Sequence, residues 1–68
     1  MRTQYDIHKH QPCTIPVVRA TYEGGETIEY MRGEFTGYSF KLGKYCFSLY
    51  NGETVKLNYF QMKAVSFN

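Results

Sequence analysis

The side chains able to do chemistry in this chain are few. Asp6, His8, His10 and Cys13 lie close together near the N-terminus. An extended segment would put His8 and His10 on one face, and zinc would need four nitrogen or sulfur donors, with Cys46 or Asp6 completing the set. The spacing His-x-His-x-x-Cys matches no familiar zinc module, and Pro12 divides it. The expectation is a polar, mobile arm with one packed thiol, and neither metal nor cofactor.

Catalysis has less to build on. Asp6 is the only Asp, and no Ser, His and acid form a recognisable nucleophile turn. Glu23, Glu26 and Glu29 flank a turn, where carboxylates solvate a hairpin. Gly37 and Gly43-Lys44 have five residues between the glycines, one more than a phosphate loop uses, and Tyr45 stands where Ser or Thr would hold magnesium. No catalytic residue is assigned, and the chain is expected to be non-enzymatic.

Two sets of residues suit binding. Arg32-Gly33-Glu34-Phe35-Thr36-Gly37-Tyr38-Ser39-Phe40-Lys41 interleaves basic, glycine and aromatic residues, the mixture with which single-strand binders stack bases and hold phosphates. Arg32, Tyr38, Lys41 and Lys44 are the candidates for that role, while Phe35 and Phe40 are expected in the core. The other set is Tyr22, Tyr38, Tyr50 and Tyr59, candidate contacts for a protein partner, because Tyr is enriched at interface hot spots.

The elements that must position these residues are strands. Tyr22-Glu23-Gly24-Gly25-Glu26-Thr27-Ile28 is echoed by Tyr50-Asn51-Gly52-Glu53-Thr54-Val55, each a glycine-bearing turn between β-branched and aromatic stretches. Thr14 to Tyr22 reads as the first strand, with Pro16 suggesting a sheet edge or strand entry, and Thr27 to Met31 as the second. Gly33 and Gly37 mark a bulge or bend. In Tyr45-Cys46-Phe47-Ser48-Leu49-Tyr50, alternation places Tyr45, Phe47 and Leu49 inward and Tyr50 outward. Asn51-Gly52 is a hairpin turn, followed by Val55 and Leu57 facing inward. Tyr59-Phe60-Gln61 predicts a single 3₁₀-type turn, and Met62 to Phe67 a closing strand. Residues 1–13 read as an N-terminal arm anchored by Tyr5 and Ile7, and residues 14–68 as one small domain.

Composition limits the rest. A chain of 68 residues buries only about 60% of its unfolded surface, and seven Tyr and five Phe are its main packing resource. The formal net charge of +2 does not by itself imply nucleic acid. The first 34 residues carry four basic and five acidic side chains, whereas the remainder carry four Lys and Glu53 alone. The polar N-terminus leads to the expectation of neither a signal peptide nor a membrane span. A cytoplasmic setting with Cys13 and Cys46 as free thiols follows as an expectation.

The run from Tyr50 through Asn51-Gly52-Glu53-Thr54-Val55-Lys56-Leu57, then a short turn and Met62-Lys63-Ala64-Val65-Ser66-Phe67, resembles the closing strands of Sm-like barrels. It is most similar to the Rof-type inhibitors of the transcription terminator Rho. Val17-Val18-Arg19-Ala20-Thr21-Tyr22 into Gly25-Glu26-Thr27-Ile28 fits the opening hairpin of such a barrel, and the closing Gly-Glu-Thr turn is also similar to that of WYL regulatory domains. The resemblance spans residues 14–67. Rof-type proteins are markedly acidic where this chain is mildly basic, and the polar Asp/Asn loop of RNA-binding Sm proteins has no counterpart, so what the resemblance implies is fold before function.

The combined expectation is an all-β domain: a small SH3-like or Sm-like barrel of five or six short antiparallel strands with an N-terminal arm. Its expected function is regulatory or inhibitory, by binding a larger protein through exposed aromatics and strand edges, and its size suits a phage or mobile element. The alternative is RNA or single-stranded DNA binding through the basic and aromatic surface. Homo-oligomerisation through a strand edge is compatible with either, and no membrane partner is expected.

Overall fold

A computed structural model describes residues 4–67. Five antiparallel strands form one sheet: β1 (Pro12–Ala20), β2 (Glu26–Ser39), β3 (Lys44–Leu49), β4 (Thr54–Leu57) and β5 (Ser66–Phe67). A helical turn, α1 (Tyr59–Met62), precedes β5, and a 3₁₀ turn at Asp6–His8 precedes β1. The sheet order is β4-β3-β2-β1-β5. Among the described residues no ladder joins β4 to β5. The all-β expectation holds. No helix among the described residues is long and apolar enough to cross a membrane.

The core follows the alternation of the strands. Ile15 and Val17 of β1, Phe35 of β2, Tyr45, Phe47 and Leu49 of β3, and Leu57 of β4 are buried together with Cys13 and Met62. Phe35 sits between the sheet's two sides: its ring centroid lies 5.3 Å from Phe47 and 6.2 Å from each of Tyr45 and Phe67. Val55 packs partly buried against this cluster. The inward alternation expected for β3 and β4 is therefore present residue by residue.

β2 is longer than expected, one strand of 14 residues running through both interior glycines. Gly33 is required by close approach. A Cβ there would stand 2.5 Å from the Ser48 carbonyl oxygen and 3.0 Å from the Leu49 Cα. Gly37, at φ +131°, serves a bulge, since the register with β3 shifts between Phe35 and Gly37. Thr36 is the extra residue, and its hydroxyl donates to the Cys46 carbonyl at 3.1 Å. The bulge changes which residues face inward, from Phe35 before it to Tyr38, opposite Tyr45, after it.

Further expectations are corrected. Phe40 is not in the core but 59% exposed, because it lies one residue beyond the end of β2. The turn at Tyr59–Met62 is α-helical, stabilised by a capping box in which Asn58 Oδ1 accepts the Gln61 N–H and Gln61 Oε1 accepts the Asn58 N–H. The closing strand is reduced to Ser66–Phe67, with Met62 buried at the end of α1 instead. β1 starts at Pro12, two residues ahead of the expected start.

The described part of the N-terminal segment is packed. Tyr5 meets Tyr45 edge-on at 5.4 Å, His8 stacks on Phe67 at 4.1 Å, and the His10 N–H donates to the Phe35 carbonyl at 2.6 Å. Ile7, expected to be an anchor, is exposed. Residues 1–3 of the expected arm lie outside the described residues.

The close approach at Gly33 makes a direct test of this packing. Gly33→Ala should cost about 1–3 kcal/mol in urea unfolding, the range for forcing extra volume into a packed site. Gly25→Ala, where a Cβ would meet only the Thr21 hydroxyl at 3.5 Å, should stay within about 0.5 kcal/mol of the parent.

Candidate interaction surface

The sheet is not three strands wide along its whole length. β1 and β2 pair from Pro12↔Glu34 to Ala20↔Glu26. β3 joins β2 only over Gly33–Ser39, and β5 joins β1 only at Cys13 and Thr14. Beyond these, residues 15–20 and 26–32 run on as a two-stranded ribbon, and the molecule measures 42 × 23 × 20 Å.

The two faces of the ribbon differ. On the inner face, Ile15 and Val17 lie opposite Met31 and Glu29, and Arg19 lies opposite Thr27. Arg19 clamps Glu53 with two hydrogen bonds, of 2.9 and 3.1 Å, and its Nε lies 3.5 Å from Glu29. Asn51 holds Glu53 from the other side: Nδ2 donates to Glu53 Oε1 at 2.7 Å, and Oδ1 accepts the Glu53 N–H at 2.9 Å. This network ties the β3–β4 turn under the ribbon. Hydrogen bonds from Arg19 and Asn51 hold the Glu53 carboxyl below its ordinary pKa, and the hydrogen bond and charge of Glu53, with Glu29, raise that of Arg19.

The outer face is apolar along its middle, between Glu26 toward the tip and Arg32 at the base. Pro16 opposes Tyr30 and Val18 opposes Ile28. Val18 is 48% exposed, Ile28 58% and Tyr30 67%. Tyr22 is fully exposed at the tip. At the base, Arg32 donates to the Thr14 hydroxyl at 2.8 Å, and exposed Tyr50 donates its N–H to the Arg32 carbonyl at 3.2 Å.

Aromatic rings and lysines gather at the far end of β2. Tyr38 packs on Tyr45 at 4.8 Å and on Phe40 at 4.9 Å. Burial raises the Tyr45 phenol pKa, and the neighbouring phenols of Tyr38, Tyr5 and Tyr59, with Asp6, raise it further. Tyr59 and Phe60 lie 5.8 Å apart, with the Lys63 ammonium 4.8 Å from the first ring and 5.5 Å from the second. The Lys9 stem lies against Gly37, 3.0 Å from where a Cβ would stand. Lys44 opposes Ser39, and Lys41 lies in the turn before it. Glu23, Glu26, Glu29 and Glu53 belong instead to the ribbon and the β3–β4 turn.

These positions divide the candidate residues. Tyr22 lies in the turn at the ribbon's tip, Tyr50 in the β3–β4 turn at its base, and Tyr38 and Tyr59 at the aromatic end, so the four tyrosines do not form one patch. Lys41, Lys44 and Tyr38 share the aromatic end, whereas Arg32 stands before the bulge on the ribbon's outer face. Among the described residues no three His, Cys, Asp or Glu side chains converge on a possible metal site. His8 is hydrogen-bonded to Gln11 Oε1 at 2.7 Å, and the buried Cys13 thiol is directed at the Gly33 carbonyl. Both cysteines are free. Sequence reasoning missed Val18, Ile28 and Tyr30: their alternation was legible, but that no described element covers this face was not. No family model, curated protein or solved structure matches the chain.

The Arg19–Glu53 clamp gives a pH signature. Because the folded-state pKa of Glu53 is lowered, its contribution to stability is fully present above the unfolded glutamate pKa and is lost as pH falls through the folded value. Thermal melts between about pH 7 and about pH 3 should show Glu53→Gln less stable than the parent at the neutral end. The two should converge at the acid end, and an equal gap at both ends would contradict the clamp.

Proposed function

We propose that this chain is a non-catalytic regulatory protein that binds a larger protein partner through the outer face of the β1–β2 ribbon. One observation carries the reading: a two-stranded ribbon leaves Val18, Ile28 and Tyr30 in water on one face, while the opposite face is closed by a polar clamp. An apolar row of this kind costs solubility unless something covers it. An aromatic with a polar tip, as at Tyr30, suits the centre of an interface. The finer fold reading belongs here too. The order β4-β3-β2-β1-β5 with a helical turn before β5 supports a small SH3-like or Sm-like barrel with an extended first hairpin. An inhibitor that masks a surface on nucleic-acid machinery, in a reducing cytoplasm, fits the Rof-type resemblance.

The test uses the tagged protein as bait, with bound proteins identified by mass spectrometry. A defined partner should be retained by the parent and by Lys41→Ala/Lys44→Ala, and lost from Val18→Ser/Tyr30→Ser. Truncating Tyr30 alone should weaken a purified complex by about 2 kcal/mol or more if it is a hot spot. Unchanged retention by the ribbon variant, with its fold intact by circular dichroism, overturns the assignment.

A second reading is favoured by the segregation of charge. Lys9, Lys41, Lys44 and Lys63 surround exposed rings at one end, with four of the six acidic residues elsewhere. That arrangement supports single-stranded RNA or DNA stacked on Phe40, Tyr59 or Phe60. Fluorescent single strands titrated at several salt concentrations should then bind, and each of Lys41→Ala and Lys44→Ala should flatten the log–log salt slope by about 0.7. The absence of binding at low salt removes this reading and leaves the first standing.

A further inference from the structure

We propose that the open edge of β2, at Glu26, Ile28 and Tyr30, pairs antiparallel with the same edge of a second copy of this chain, about a twofold axis at Ile28. The edge is a different surface from the ribbon's outer face, so the two readings fail separately.

The backbone sets the phase. The Thr21 N–H donates to the Gly25 carbonyl at 2.9 Å, and antiparallel pairs alternate between bonded and non-bonded. Arg19↔Thr27 and Val17↔Glu29 are then bonded pairs, whereas Ala20↔Glu26, Val18↔Ile28 and Pro16↔Tyr30 are not. The N–H and C=O of Glu26, Ile28 and Tyr30 therefore point away from β1. The Arg32 carbonyl is next in the same series, and it receives the Tyr50 N–H, as this phase requires. β3 begins its pairing with β2 only at Gly33. Along residues 26–31, no described strand meets these groups.

The other edge is protected. β5 covers Cys13 and Thr14, and Pro16, in an outward-facing position, offers no N–H. The β2 edge has neither proline nor lysine to discourage pairing.

Charge selects the register and the occupant. With the axis at Ile28, Ile28 faces Ile28 of the second copy, Glu26 faces Tyr30, and Thr27 faces Glu29. No acid lies opposite an acid, and Glu29 remains beside Arg19 of its own chain. Each of the three outward residues exchanges both its bonds with its opposite number. An axis at Glu29 would set the two Glu29 carboxylates face to face and would call on the Arg32 carbonyl already used by Tyr50. An axis at Thr27 would run Tyr30 into Gly24, which lies in the turn at φ +83°. The Ile28 register also brings Val18, Ile28 and their two counterparts into one row across four strands. An extended segment of another protein would need the same register without being constrained to supply it.

Sedimentation velocity and amide hydrogen exchange of the full chain, from about 5 μM to about 1 mM, test the pairing by mass action. A dimer should form as concentration rises. Exchange at the amides of Glu26, Ile28 and Tyr30 should slow on the order of tenfold or more, while the outward amides of Val18 and Ala20 keep their rates. Ile28→Pro removes an N–H that makes no bond within the ribbon, and it should leave a folded monomer. Val18→Ser should still dimerise. A monomer at the highest concentration with the three amides unprotected overturns the proposal. So does a dimer that survives in folded Ile28→Pro, or one that protects Val18 and Ala20 instead. Because exchange is read on the parent chain, the result stands even if Ile28→Pro fails to fold.

Discussion

The length of β2 constrains everything else in this molecule. A strand of 14 residues in so short a chain can be flanked by a third strand for only part of its course. Here β3 takes the C-terminal half, from Gly33 onward. Where β3 lies alongside, side chains on one face become core, with Phe35 at the centre of a ring of Tyr45, Phe47 and Phe67. Beyond that point the ribbon continues with no described strand beside β2, although Ile15 and Val17 on its inner face remain buried. Its inner face is kept in place by Arg19, Glu29, Glu53 and Asn51. Its outer face carries the Arg32–Thr14 hydrogen bond at the base and, beyond it, exposed Val18, Ile28 and Tyr30.

Much of the core was legible because strand alternation is a local property. Tyr45, Phe47 and Leu49, and across the turn Val55 and Leu57, could be assigned inward from their period of two alone. The turn at Asn51-Gly52 was equally local, although its closure depends on Asn51 bonding the Glu53 backbone, with Gly52 at φ +96°. The aromatic stretch after Gly33 was harder to read. A bulge at Thr36 exchanges inward and outward parity, and a side chain then faces the core only if the strand is still flanked. Phe40 comes just after β2 ends and is left in solvent with an edge contact to Tyr38. Glycine signalled a distortion near the right place but not its consequence for parity.

The ribbon itself was not legible, for a different reason. Val18, Ile28 and Tyr30 occupy positions that would be core-forming in a sheet covered on both faces. Whether another layer covers them depends on the number and length of the later strands, which is information from the far end of the chain. The tyrosines share only a residue type, and the fold separates them: Tyr22 lies at the ribbon's tip, Tyr50 in the β3–β4 turn, and Tyr38 and Tyr59 at the end where α1 meets β3. The contact of Lys63 with Tyr59 and Phe60 is by contrast local, set by the i,i+4 and i,i+3 spacings across the α1 turn.

Charge and shape act together along the long axis. The acidic residues of the first hairpin lie at one end and the lysine-ringed aromatics at the other, so a partner meets two unlike surfaces on one small protein. Antiparallel pairing at Ile28 would set the two ribbons side by side, with the lysine ends pointing in opposite directions. The apolar row would then be doubled at the centre and the basic ends held apart. A ligand reaching both ends would gain by effective concentration with no new contact made, whereas a partner seated on the central row would meet a wider apolar face. Self-pairing at the edge is thus compatible with either occupant, because it consumes backbone groups that neither of them needs.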